Sequence, residues 1–191
     1  MKRFALASVL SVLLTGCFTT VTPTVFNWTL SPETEISGAA KPPKLGEVRL
    51  AVVSVRAPFD GKSIAVLRPD GSMAFDAYNQ FASVPSALVK GAALDVLRGT
   101  GLFRGVQPSI TTADVDTSLE LMIDEFALDC RTPGERKASV RLTLAMIRRR
   151  QVVAVGRATA AAGTDDGNYS KAFGTAFARA LSDAAAQLVK E

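Results

Sequence analysis

Four large apolar residues, Val140, Leu142, Leu144 and Met146, alternate strictly with Arg141, Thr143 and Ala145. Successive side chains of an extended chain point to opposite faces, so a period of two commits this segment to a strand with one buried and one wetted face. Such a strand needs neighbours, and both flanks offer them. Between Asp116 and Leu128 the alternation recurs with Leu119, Leu121 and Ile123 on one face, until Phe126 falls out of phase. One extra residue near Asp124-Glu125, a β-bulge, restores the phase. Downstream, Arg148 to Gln151 reads as a tight turn and Val152 to Ala160 as a returning strand.

The rest of the chain supplies shorter strands and two helices. Val25 to Leu30 is a short strand candidate, and the stretch 31–44, with Pro32, Gly38, Pro42 and Pro43, is a loop. Val48, Leu50 and Val52 through to Val55 form a β-branched run that Pro58 ends. Asp60-Gly61 has the composition of a hairpin turn, leading into a strand from Lys62 to Leu67. Arg68-Pro69-Asp70-Gly71-Ser72 is a second turn, followed by a short strand from Met73 to Asp76. Pro85 opens a helix with the stripe Leu88, Ala92 and Val96, widened by Val89, Ala93 and Leu97, which Gly99 and Gly101 stop. A short strand over Phe103 to Val106 follows, and Thr132-Pro133-Gly134 turns the chain between the two alternating segments. After a polar loop from Gly163 to Gly167, Ser170 is placed to cap a last helix whose face carries Phe173, Phe177, Leu181, Ala184 and Leu188. No βαβ rhythm recurs. The expected fold is an α/β two-layer sandwich, a largely antiparallel sheet with two main helices on one face.

The N-terminus reads differently. Lys2 and Arg3 precede an apolar stretch from Phe4 to Leu14, interrupted only by Ser8 and Ser11. A membrane span needs about 20 apolar residues, so this stretch is too short to cross and has the proportions of a secretion signal. Leu14-Thr15-Gly16-Cys17 then gives the aliphatic, small, small, Cys order at which a bacterial lipoprotein is cleaved and acylated. The expected organisation is a signal peptide over 1–16, a lipidated Thr-rich tether over 17–24, and one domain over 25–191. Phe18 stands where an Asp would mark inner-membrane retention, so the expected location is the periplasmic face of the outer membrane, lipid-anchored through Cys17. With Cys17 committed to lipid, Cys130 has no intramolecular disulfide partner and reads as a small buried apolar residue. The formal charge of +4 loses two units with Lys2 and Arg3, which leaves no nucleic-acid signature.

Chemistry is sparse. The chain has no histidine, which removes Ser-His-Asp and Cys-His catalysis and most protein zinc sites. Gly61-Lys62-Ser63 resembles the end of a phosphate-binding loop, but the earlier required glycine is Arg56 and the context is strand–turn–strand. Asp114, Asp116 and Glu125 lack the glycine and spacing of a calcium loop. No catalytic set, metal site or cofactor is expected. Arg148-Arg149-Arg150, the densest charge, is either a solvated hairpin tip or a contact for lipid headgroups or an acidic partner. Phe75, Tyr78, Phe81 and Phe103 are core residues by default and an apolar groove otherwise.

One stretch carries a family likeness. The strand from Val48 to Val55 is followed by the Asp60-Gly61 turn, then by Tyr78-Asn79-Gln80-Phe81-Ala82-Ser83-Val84-Pro85, and after the helix by Leu97 and Thr100-Gly101-Leu102-Phe103-Arg104-Gly105-Val106. This resembles the ABC-type transport auxiliary lipoprotein family, in which the middle segment reads like N-x-W-A-x-x-P and the later one like L-x-x-S-G-x-F-x-x-V. Phe81 stands where that family usually has Trp, and Thr100 where it has Ser. The resemblance implies an outer-membrane-side auxiliary subunit that docks an MCE-domain protein of an ABC-type system moving phospholipid or other hydrophobic molecules, with self-association into a ring as one arrangement. The expected contact region includes Arg68, Tyr78 and Phe81, with Arg148, Arg149 and Arg150 as a second surface. The alternative is a scaffold or regulator lipoprotein of the cell envelope, for example of cell-wall synthesis.

Overall fold

The computed structural model describes residues 24–32, 42–112, 114–164 and 167–189. The expected signal peptide, Cys17 and the tether up to Pro23 lie outside them. The described elements run β1 (Phe26–Trp28), β2 (Leu45–Val55), β3 (Ser63–Leu67), β4 (Met73–Phe81), α1 (Pro85–Gly99), β5 (Phe103–Pro108), β6 (Thr117–Asp129), β7 (Lys137–Arg148), β8 (Gln151–Gly163) and α2 (Tyr169–Gln187).

The alternating segments form the backbone of the sheet. β6, β7 and β8 are a consecutive antiparallel meander in which Leu119, Leu121 and Ile123 stand opposite Met146, Leu144 and Leu142, and the latter three opposite Ala154, Gly156 and Ala158. The ladder slips between Ile123 and Glu125, the bulge that the misplaced Phe126 announced. Beyond the slip Phe126 returns to the buried side opposite Val140.

The other edge of β6 is shared. β2 runs parallel to its first half, with Val55 opposite Ile123, and β3 parallel to its end, with Ala65 opposite Ala127. β2 and β3 are thus one strand track broken by an excursion over 56–62. Asp60-Gly61 is therefore no hairpin turn, since β2 and β3 do not pair with each other. Turn composition is local, whereas the choice of neighbour was made by β6. β4 pairs antiparallel with β3, β1 parallel with β4, and β5 parallel with β2. The sheet is mixed, antiparallel along its longest ladders and parallel where β1, β2, β3 and β5 join.

Both helices cover one face, giving the expected two-layer α/β sandwich. α1 begins at Pro85 without a side-chain cap from Val84. Asp60, at the tip of the excursion, supplies it instead: its carboxylate accepts from the Ser86 amide at 2.8 Å and hydroxyl at 2.9 Å. A carboxylate there also meets the positive end of the helix dipole. α2 is capped by Asn168, which accepts from the Lys171 amide at 3.0 Å, and not by Ser170, whose hydroxyl meets Ser31. Phe173 of α2 closes on Phe81 of β4 and Phe126 of β6, with ring centroids 5.2 and 4.8 Å away, so one aromatic cluster joins helix, meander and edge. Gly156 lets α2 lie directly on β8, because a Cβ there would collide with the Ala184 carbonyl. Among the described residues no helix is long and apolar enough to cross a membrane.

Candidate functional site

The open face of the sheet carries a charge network. In a regular strand Asp124 and Glu125 would point to opposite sides, but the bulge turns both outward. Asp124 pairs with Arg56 at 3.2 Å and accepts from the Thr143 hydroxyl at 3.1 Å. Glu125 is buried, accepts from Ser139 Oγ at 2.7 Å, and faces Arg141 at 3.3 Å and Arg131 at 3.8 Å. Arg131 is held more tightly by Asp129, 2.7 Å away, which lowers the Asp129 pKa through that hydrogen bond and raises the arginine's. Arg56, Asp124, Arg141, Thr143 and Arg157 line a shallow cleft of about 390 Å³. The out-of-phase Phe126 gave away the bulge. The arginines come from four separate segments, so no local pattern in the chain could have assembled the network.

The three consecutive arginines sit at the β7–β8 tip. Arg149 and Arg150 have φ of 50° and 66°, the left-handed pair that a two-residue turn of this twist requires. Asn-Gly is the usual solution, and each L-residue held there costs about 1–2 kcal/mol. Strain at a tip that presents three exposed cations marks it as a contact candidate. Arg148 donates to Thr117 Oγ1 at 3.3 Å. Arg148 and Arg149 share a polar cleft of about 440 Å³ with Glu47, Arg104, Asp114 and Asp116. Glu125 lies on the other half of β6, so Asp114, Asp116 and Glu125 do not converge on one point.

The remaining candidates lie at the β3–β4 end. Arg68 is exposed at the turn, which Asp70 ties by accepting from the Ser72 amide at 2.9 Å and hydroxyl at 2.6 Å, bonds that lower the Asp70 pKa. Tyr78 is 54% exposed and Phe75 51%, whereas Phe81 is 1% and Phe103 7%. Phe81 is therefore a core residue of the aromatic cluster, removed from any contact surface, while Arg68 and Tyr78 remain available. Arg68 and the three-arginine tip stand at opposite ends of β6, since Leu67 faces Asp129 and Arg148 faces Thr117. Cys130 is partly buried against the core. The phosphate-loop look-alike opens into β3 at Ser63 and not into a helix.

The family-like segment is a set of packing and turn devices. Thr100 Oγ1 donates to the Leu97 carbonyl at 2.6 Å, Gly101 takes φ +63°, and Phe103 and Val106 are buried on β5. They turn the chain from α1 into the sheet.

Neither a family model nor a curated protein matches this chain. Solved structures do. Protein XCC0632 from Xanthomonas campestris, carrying the family label DUF330, is 20% identical with a TM-score of 0.58, over 87% of this chain and 90% of that one. An uncharacterized protein is 10% identical with a TM-score of 0.57, over 86% and 98%. A PelC dodecamer from Paraburkholderia phytofirmans is 12% identical with a TM-score of 0.47, over 79% and 92%, a likeness too slight to bear on assembly. The first two likenesses establish what the geometry already drew: this chain has the fold of XCC0632 along nearly its whole described length.

Proposed function

We propose that this chain is a lipid-anchored envelope lipoprotein, held through Cys17 at the periplasmic face of the outer membrane. There it acts as the auxiliary subunit of an MCE/ABC-type system that moves phospholipid or other hydrophobic molecules. Its work is docking, not catalysis, and self-association into a ring belongs to the same proposal. The observation that carries the reading is the Leu14-Thr15-Gly16-Cys17 sequence joined to the family-like stretch from Val48 to Val106. Three features support docking: the exposed tip at Arg148–Arg150, the open sheet face, and the exposed Arg68 and Tyr78. The two charged clefts are shallow and solvent-facing, shapes suited to a partner's surface more than to a reaction that must exclude water.

The test is crosslinking of the tagged lipoprotein in its own membrane, followed by mass spectrometry of the captured proteins. The expected result is an MCE-domain protein, with crosslinks mapping to the arginine tip or to the Arg68–Tyr78 region. Recovery of a cell-wall synthase with no MCE protein would overturn the transport reading in favour of an envelope scaffold.

A further inference from the structure

The geometry points to the β1–β4 edge as the membrane-facing side of the domain, with Phe26, Phe75 and Tyr78 seated in the headgroup–acyl boundary of the bilayer that carries the Cys17 lipid. This inference rests on the lipid-anchored half of the proposed function and is independent of its transport half.

Phe26 is 55% exposed, Tyr78 54% and Phe75 51%, and Val25 and Met73 are exposed as well. All five lie on or beside the two outermost strands of one side of the sheet. β1 covers only Asn79 to Phe81 of β4, so among the described residues the stretch from Met73 to Tyr78 has no strand beyond it. The aromatics flank this edge from both faces. Phe26 shares its face with Trp28, which donates from Nε1 to Asn79 at 2.9 Å and stacks edge-on against Tyr169 of α2. Met73 and Phe75 stand opposite Leu67 and Ala65, on the open face. Rings on both sides of a thin edge suit edge-on contact with a soft surface.

The local charges agree. Asp76, the carboxylate of β4, is half-buried and engaged by its own strand, accepting from the amides of Tyr78 at 2.8 Å and Asn79 at 2.9 Å and from the Asn79 side chain. Arg68 stands exposed in the β3–β4 turn, where an anionic headgroup would meet it, and the Asp70 carboxylate of that turn is engaged by the Ser72 amide and hydroxyl. Phe and Tyr are at home at the boundary because the ring is apolar and the tyrosine hydroxyl still reaches water.

The chain connectivity supplies the direction. Phe18 to Thr24 separates Cys17 from Val25. At about 3.3–3.6 Å per extended residue, the eight steps from Cys17 to Val25 reach at most about 29 Å. Attachment through Val25 therefore ties this edge, and not β8, directly to the acylated end. The opposite edge, β8, is five strand steps away, about 24 Å at the usual strand spacing.

Spin-label depth measurement tests this in the lipidated full-length protein carrying Cys130→Ser, reconstituted into phosphatidylethanolamine–phosphatidylglycerol vesicles. A nitroxide on Phe75→Cys or Tyr78→Cys should lose most of its access to a water-soluble relaxation agent and gain access to oxygen when vesicles are present. A nitroxide on Val152→Cys, 60% exposed on β8, should not change. Equal water access at all three positions, with the acyl mass present on Cys17, overturns the membrane-facing edge and leaves the lipoprotein reading standing. Loss of access to both the water-soluble agent and oxygen at Phe75 and Tyr78 overturns it in favour of a second copy. A Cys17 peptide without acyl mass removes the anchor, and the proposal falls with it.

Discussion

The two sides of the sheet are built on different rules. The β6–β7–β8 side consists of long neighbouring strands that pair in sequence order, and its inward residues Leu119, Leu121, Ile123, Leu142 and Leu144 are at most 1% exposed. The β1–β4 side consists of shorter strands from separated segments, with Phe26, Phe75 and Tyr78 in solvent. One side is fixed by burial of its own alternating pattern. The other is held by a few specific links: Trp28 to Asn79, Trp28 against Tyr169, and the Phe81 ring in the central cluster. Stability is concentrated on the first side and surface chemistry on the second, which is where loosely packed, exposed segments ordinarily carry function.

Truncating one phenylalanine on each side breaks this comparison most sharply. Phe126→Ala removes a fully buried ring touching both Phe81 and Phe173, so it should cost about 3–5 kcal/mol and lower the melting temperature strongly. Phe75→Ala removes a ring that is half in water and should stay within about 0.5 kcal/mol of the parent. Calorimetry of the two variants decides it. Comparable losses would mean that the β4 edge is a structural core, and the division drawn above would fail.

A smaller effect comes from two glycines at which a side chain has no room. Gly156→Ala drives a methyl into the Ala184 carbonyl where α2 crosses β8, and overpacking of that kind costs about 1–3 kcal/mol. Gly174→Ala drives one into the Ser31 carbonyl, and Ser31 belongs to the short segment after β1, whose contacts with Ser170 such a shift would break. Its expected signature is local. The melting temperature should barely shift, while the fluorescence of Trp28, the single tryptophan, moves to the red as its contact with Tyr169 loosens. A large melting shift with unchanged Trp28 emission would show the post-β1 segment to be as firmly fixed as the meander.

The same division explains what was legible in the sequence. Period-two alternation over Leu119–Ile123 and Val140–Met146 needs no knowledge of the fold, because each strand carries its own buried face and its partner follows across a turn. The bulge at Asp124-Glu125 was readable for the same reason: it shifts a phase. The helix over Pro85–Gly99 was readable from its stripe, though its cap was not, because Asp60 reaches Ser86 from another segment. Asp60-Gly61 read as a hairpin since its composition is that of a turn, and only the non-local pairing of β2 and β3 with β6 shows otherwise. Met73 to Asp76 was seen as a strand, but its continuation to Phe81 was hidden by the irregular Asp76–Asn79 stretch, where side chains replace ladder bonds. Exposure at Tyr78 and burial at Phe81, three residues apart in one aromatic-rich run, depend on which ring meets Phe173, and no local pattern encodes that.

The smallest expected effect concerns the charged open face near the β6–β7 turn. Asp129 is held below the ordinary aspartate value of 3.8, chiefly by the side-chain hydrogen bond from Arg131. A carboxylate whose folded pKa is depressed contributes stability that is fully present above the unfolded value and is lost as the pH falls through the folded one. The Asp129 contribution should therefore be constant at neutral pH and disappear only below about pH 3.8. Arg131 is half exposed, so water and salt screen the pair, and its worth is on the order of 0–1 kcal/mol. Asp129→Asn should accordingly lower stability by no more than that at pH 7 and flatten the acid limb of the stability curve. Denaturant titrations at pH 7 and pH 3 read both. The buried neighbour Glu125 sharpens the test, because Arg131 also lies 3.8 Å from it and, once freed from Asp129, has a second carboxylate to turn to. If that exchange is complete, Asp129→Asn leaves the neutral-pH stability unchanged while still removing its part of the acid slope. A loss well above 1 kcal/mol at pH 7 would instead make the open face, like the meander's inner one, a stabilising layer rather than a surface kept for contact.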